Sequence, residues 1–147
     1  MNYHSHLLFA LLLALYTKSY FGGGIFFIFF ILVGALLPDL DETKSYLGRR
    51  VPLLPGLSKF LFGHRGIYHS LPFAILLALF INIFSFKTAV AIFIGYMSHL
   101  FLDATTKQGI QPFWPLKARM HGPITTGSIV EKAFTIILFA LIVLKLF

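Results

Sequence analysis

The 147-residue chain contains no cysteine. That excludes disulfides, thiolate nucleophiles and sulfur-ligated metals, so a metal could be held only by histidine and carboxylate, a donor set that suits zinc, manganese or iron. Acids are nearly as scarce. Asp39, Asp41, Glu42, Asp103 and Glu131 are the only five, against twelve Lys and Arg, for a net charge of +7. The first six residues carry no Lys or Arg, and no small-x-small cleavage site follows cleanly. A secretory signal normally shows both, so the N-terminus is expected to be retained, with His6 available as a ligand.

What the chain has in plenty is apolar surface: 58% of residues are hydrophobic and mean hydropathy is +0.86. Apolar runs at 7–16, 21–37, 71–86, 88–102 and 133–147 predict an all-α, polytopic membrane protein. It is read as a single domain over 1–147 with about five, four to five, transmembrane or membrane-embedded helices. Several runs fall short of the roughly 20 residues a perpendicular span needs, and tilt or local thinning would make up the difference. Run 7–16 could be a half-span or an interfacial helix. In such a protein a basic balance reflects orientation in the membrane or a headgroup partner, and no nucleic acid is expected.

Five spans put the N-terminus, the 38–70 loop and the 103–132 segment on one side, which holds nine of the twelve cations and is therefore cytoplasmic. The same division brings His6, Asp39, Asp41, His64, His69, His99, Asp103 and Glu131 to that side. Pro38 should end the second helix, Ser70 should cap the third with Pro72 in its first turn, and Gly22–Gly24 should form a flexible turn. Phe86-Lys87 is read as a tight turn, and 105–128 as a loop over the cytoplasmic side.

His99-Leu-Phe-Leu-Asp103 is the clearest motif, because residues four apart on a helix share a face and can grip one metal. The plain alternative is a His–Asp pair satisfying itself inside a bundle. In Gly63-His64-Arg65-Gly66-Ile67-Tyr68-His69-Ser70, a Gly-rich turn lets two imidazoles converge while the Arg65 fork clamps a phosphate. A basic juxtamembrane loop would read the same way. Asp39 and Asp41 follow the membrane exit and suit a hard cation or a general base, although Asp after Pro is also ordinary turn chemistry. His6 opens an apolar helix on the same side. Glu131 has capping-box spacing from Ser128, a structural role that competes with ligation. His4, His121 and Glu42 are read as background. So many ligands exceed what one ion needs, which makes a two-metal site suited to phosphoester hydrolysis plausible.

These residues resemble the YdjM family of bacterial inner-membrane metal-dependent hydrolases. The resemblance rests on His6-Leu-Leu-Phe9, Leu36-Leu-Pro-Asp-Leu-Asp41, Lys44-Ser-Tyr-Leu-Gly48 and Phe62-Gly-His-Arg-Gly-Ile-Tyr-His-Ser-Leu71. Gly95-Tyr-Met-Ser-His-Leu-Phe-Leu-Asp103 and Trp114-Pro115 complete it. The family looks like a membrane-embedded relative of the zinc-dependent phospholipase C and fungal zinc nuclease group. That likeness implies metal ligation by His6, Asp39, His64 or His69, and His99 with Asp103. Glu131 matches a glutamate of that group, but the histidine that accompanies it there is missing, which favours one or two metals over three.

The expectation is a hydrolase at the cytoplasmic membrane face, cleaving a phosphoester of a lipid or lipid-linked phosphate with a divalent metal, zinc foremost. Asp39 or Asp41 would assist the attacking water and Arg65 would bind the anion. The rival is a non-catalytic metal-binding or transport protein. Transport needs polar groups at mid-membrane, and the third run offers only Asn82 and Ser85.

Overall fold

The computed structural model describes residues 1–41 and 67–147; residues 42–66 and the side chains of Leu40 and Asp41 lie outside the described residues. Among the described residues five α-helices carry the fold: α1 (Tyr3–Thr17), α2 (Ile25–Leu36), α3 (Leu71–Asn82), α4 (Phe86–Ala104) and α5 (Ile129–Leu146). Short 3-10 turns at Leu37–Asp41 and Ile67–His69 follow α2 and precede α3. No strand occurs among the described residues, only two isolated bridges in the 105–128 segment. The all-helical reading and the five helices agree with the sequence.

Local chemistry sets the helix ends. Gly22 turns the chain with φ +58, a left-handed conformation that glycine adopts without cost, and α2 begins just beyond. Leu37 keeps helical dihedrals (φ -59, ψ -40) before Pro38, which has no N–H to continue the α ladder, and α2 passes into its 3-10 turn. Ser70 caps α3 by accepting from the Phe73 N–H, with Pro72 tolerated in the first turn. The turn expected at Phe86-Lys87 falls earlier, at Ile83–Ser85: Ser85 accepts from the Thr88 N–H at 3.3 Å, so Phe86 and Lys87 already belong to α4.

The tightest packing is between α2 and α4. A Cβ on Gly95 would sit 1.9 Å from the Ile31 carbonyl oxygen, and one on Gly34 would sit 2.3 Å from that of Ile92. Only glycine permits this backbone approach, as in small-residue crossings of membrane helices. Ala10, Ala14, Phe27, Ile31, Ala35 and Ala91 form the core around the crossing.

No described helix is long and apolar enough to cross a membrane. α2 and α3 have 12 residues each, roughly 18 Å of rise against a hydrocarbon core of about 30 Å. α4 and α5 are longer but hold Lys87, His99 and Asp103, and Glu131, Lys132 and Lys145. The outer surface is nonetheless strongly apolar, with Phe26, Leu76, Phe80, Phe84, Ile136 and Leu144 each at least 60% exposed.

Candidate metal centre

Five side chains from separate parts of the chain meet at one end of the bundle. His6 comes from the first turns of α1, Asp39 from the turn after α2, and His69 from the turn before α3. His99 and Asp103 come from the last turns of α4. Asp103 sits in the middle. Its Oδ1 lies 3.3 Å from His6 Nε2, and its Oδ2 lies 3.7 Å from both His69 Nε2 and His99 Nε2. His99 Nε2 is also 3.7 Å from Asp39 Oδ1. Ligand atoms of His6, His99 and Asp103 fall within 4.8 Å of one another, as do those of Asp39, His69 and His99. The two groups share His99.

The backbone orients the central imidazole. His99 Nδ1 lies 2.7 Å from the Ala35 carbonyl oxygen, which can only accept, so Nδ1 carries the proton and donates. In the neutral ring Nε2 then presents a lone pair toward two carboxylates, and it has no hydrogen-bond partner. The His6 ring stacks on it with centroids 3.9 Å apart. Tyr96, on α4, donates its hydroxyl to the Tyr68 carbonyl, tying the turn that carries His69 to α4.

This donor set fits a divalent cation. Bonds of about 2.1 Å in a tetrahedron place neighbouring ligand atoms about 3.4 Å apart, close to the observed separations. An imidazole nitrogen facing two carboxylates needs positive charge between them, which either a ring proton or a bound cation supplies. The Met1 amino group supplies one positive charge nearby, 2.7 Å from Asp103 Oδ1. His6, His69, His99 and Asp103 are all buried, and Asp39, at 20% side-chain exposure, is the cluster's contact with the outside.

Glu131 stands apart from both groups. Its carboxylate accepts from the Asn2 N–H at 2.6 Å, the Asn2 side-chain amide at 3.4 Å, the Ser5 hydroxyl at 3.1 Å and the Gly127 N–H at 2.5 Å. Burial pushes its carboxyl up, but hydrogen bonds from Gly127, Asn2 and Ser5 outweigh burial and hold it below the usual carboxylate range. Its own N–H donates to the Ser128 hydroxyl, the serine half of the capping box, while the Ser128 N–H goes to the Thr125 carbonyl and the carboxylate takes the Gly127 N–H. The oxygens expected to ligate metal instead clamp the start of α1 to the start of α5. The spacing could not separate these roles, because capping and ligation both place a carboxylate at a helix start.

His64 and Arg65 lie outside the described residues, as does the Asp41 side chain. His4 and His121 are exposed and away from the cluster. The contributions of the Ala35 carbonyl, the Tyr96 hydroxyl and the Met1 amine were not legible in the sequence. The first is a backbone atom, and all three act across distances that only the helix packing defines.

Two relatives share most of the chain. A Bacillus subtilis (strain 168) protein named YvsG is 36% identical over 104 residues, 68% of this chain and 65% of its own length. The Inner membrane protein YdjM of Escherichia coli (strain K12) is 34% identical over 118 residues, 74% of this chain and 60% of that protein. The chain thus spans somewhat under two thirds of each relative. No solved structure matches. The sequence model of the family described as YdjM inner membrane protein matches residues 1–146, and the chain belongs to that family.

Proposed function

We propose that this chain is a metal-dependent hydrolase embedded in the inner membrane, acting on a phosphoester of a lipid or lipid-linked substrate. The observation that carries the reading is His99: its Nδ1 is hydrogen-bonded to the Ala35 carbonyl, and its Nε2 lies 3.7 Å from carboxylate oxygens of both Asp39 and Asp103. His6, His69, His99, Asp103 and Asp39 would hold the ion, zinc foremost. A divalent ion there supplies Lewis acidity and activates water near neutral pH. Asp39, the partly exposed member, would take a proton from an incoming water. Asp41 and Arg65 keep the roles read from sequence, a second base and an anion clamp. The distant likeness to zinc-dependent phospholipases C, multi-pass insertion and a cytoplasmic orientation of the site belong to the same proposal.

Metal analysis of protein purified without chelator tests it. The wild type should carry one or two divalent ions per chain, and His99→Ala or Asp103→Asn should lose them. A panel of phosphomono- and phosphodiester lipids should be hydrolysed by the wild type and spared with chelator or in Arg65→Ala. Turnover that survives metal removal would sink the reading. One observation favours a non-catalytic metal-binding role: four of the five ligands are fully buried, as in closed structural sites. That alternative predicts bound metal with no hydrolysis of any lipid in the panel.

A further inference from the structure

The segment between α4 and α5 is more than a connector. From Thr105 to Ser128 it contains no acidic residue, while Lys107, Lys117 and Arg119 are all exposed. It is built as a folded tongue. Ile110 and Met120 exchange N–H···O bonds of 2.9 Å in both directions, and the Lys107 N–H donates to the Ile124 carbonyl at 2.8 Å. Gly109, at φ +63, makes the approach possible, since a Cβ there would lie 2.2 Å from the Met120 carbonyl oxygen. The Pro112 carbonyl accepts from the Leu71 N–H at 2.7 Å, fixing the tongue beside the start of α3.

The tip presents large apolar side chains outward. Phe113 is 48% exposed, Leu116 65% and Met120 52%, interleaved with Lys117 and Arg119. Outward apolar groups are costly in water, and like-signed cations among them repel one another unless anions lie opposite. Both problems are solved at an anionic lipid surface, where apolar side chains enter the headgroup boundary and cations meet phosphates. We propose that the 113–120 tip is an interfacial anchor that docks on anionic phospholipid headgroups beside the metal cluster. Phe113 and Leu116 insert, while Lys117 and Arg119 pair with the lipid phosphates. The tongue follows Asp103 directly in the chain, so docking fixes the height of the cluster relative to the bilayer surface. The assignment stands whether or not the cluster holds metal.

Trp114, the chain's single tryptophan, lies in this tip and reports on it. The full chain is reconstituted into phosphatidylcholine vesicles with or without phosphatidylglycerol, using acyl chains brominated near the headgroup. Trp114 emission should be quenched by the brominated lipid, more strongly with phosphatidylglycerol. Each charge removed in Lys117→Gln or Arg119→Gln should lower the docked-to-free ratio about fivefold in anionic vesicles, from the attraction of one cation to such a surface. Phe113→Ser with Leu116→Ser should abolish the quenching while helicity by circular dichroism stays unchanged. Emission indifferent to brominated lipid overturns the proposal, whether or not aqueous iodide reaches the indole. Quenching that persists in both the charge and the apolar variants overturns it as well.

Discussion

The residues of the cluster divide into those a sequence displays and those only packing creates. His99 and Asp103 were legible because four-residue spacing on a helix needs no tertiary information. Their convergence with His6 and Asp39 was legible only as a shared end of the bundle. The Ala35 carbonyl that sets the His99 tautomer carries no side-chain signal at all. A test at this scale separates ligands from bystanders. His69→Ala should lower metal occupancy as His99→Ala does, whereas His4→Ala and His121→Ala should leave it unchanged in metal analysis. Glu131 makes a second case. In Glu131→Gln one amide N–H₂ must face backbone donors, costing about 1–3 kcal/mol of stability by thermal unfolding. The native carboxyl lies below its ordinary value of 4.5, so its contribution is present above that value and fades as the pH falls below it. The gap in stability between wild type and Glu131→Gln should therefore narrow toward acid, and a gap independent of pH would show that its charge is not what matters.

At the scale of elements, capping residues and proline located most helix ends, because those signals act within one turn. The error at Phe86-Lys87 arose where the cap was read as interior to a run: Ser85 ends one apolar stretch and begins the next. What no run revealed was the α2–α4 crossing. Gly34 and Gly95 look like neutral interruptions in sequence, yet they bring the backbones into contact and deliver the Ala35 carbonyl to His99. Gly95→Ala forces the helices apart, so it should cost about 1–3 kcal/mol in detergent unfolding by overpacking. Through the displaced carbonyl it should also weaken metal binding on the order of 10- to 100-fold, the usual effect of losing a group that orients a ligand. Weakened unfolding with unaltered metal affinity would show that the crossing does not position the ligand.

At the scale of the molecule, composition pointed to the membrane class, and the outward phenylalanines and leucines of α2, α3 and α5 agree in kind. Span length was the part composition could not supply, because turns inside the runs, at Gly22–Gly24 before α2 and Ile83–Ser85 after α3, subtract from the helices. An apolar exterior of this extent should keep the protein in the membrane pellet through alkaline carbonate extraction, with release only by detergent. Recovery in the carbonate supernatant would count against embedding.

The order in which the ligands appear along the chain has its own consequence. His6 emerges from the ribosome 93 residues before His99, and Asn2 and Ser5 precede Glu131 by more than 120. At roughly 5–20 residues per second, the first helix waits several seconds for His99, Asp103 and Glu131. Assembly of the centre is thus a closing event in biosynthesis. A nascent chain halted before His99 would display His6, buried in the finished protein, without the His99 ring on which it stacks and the Asp103 carboxylate beside it.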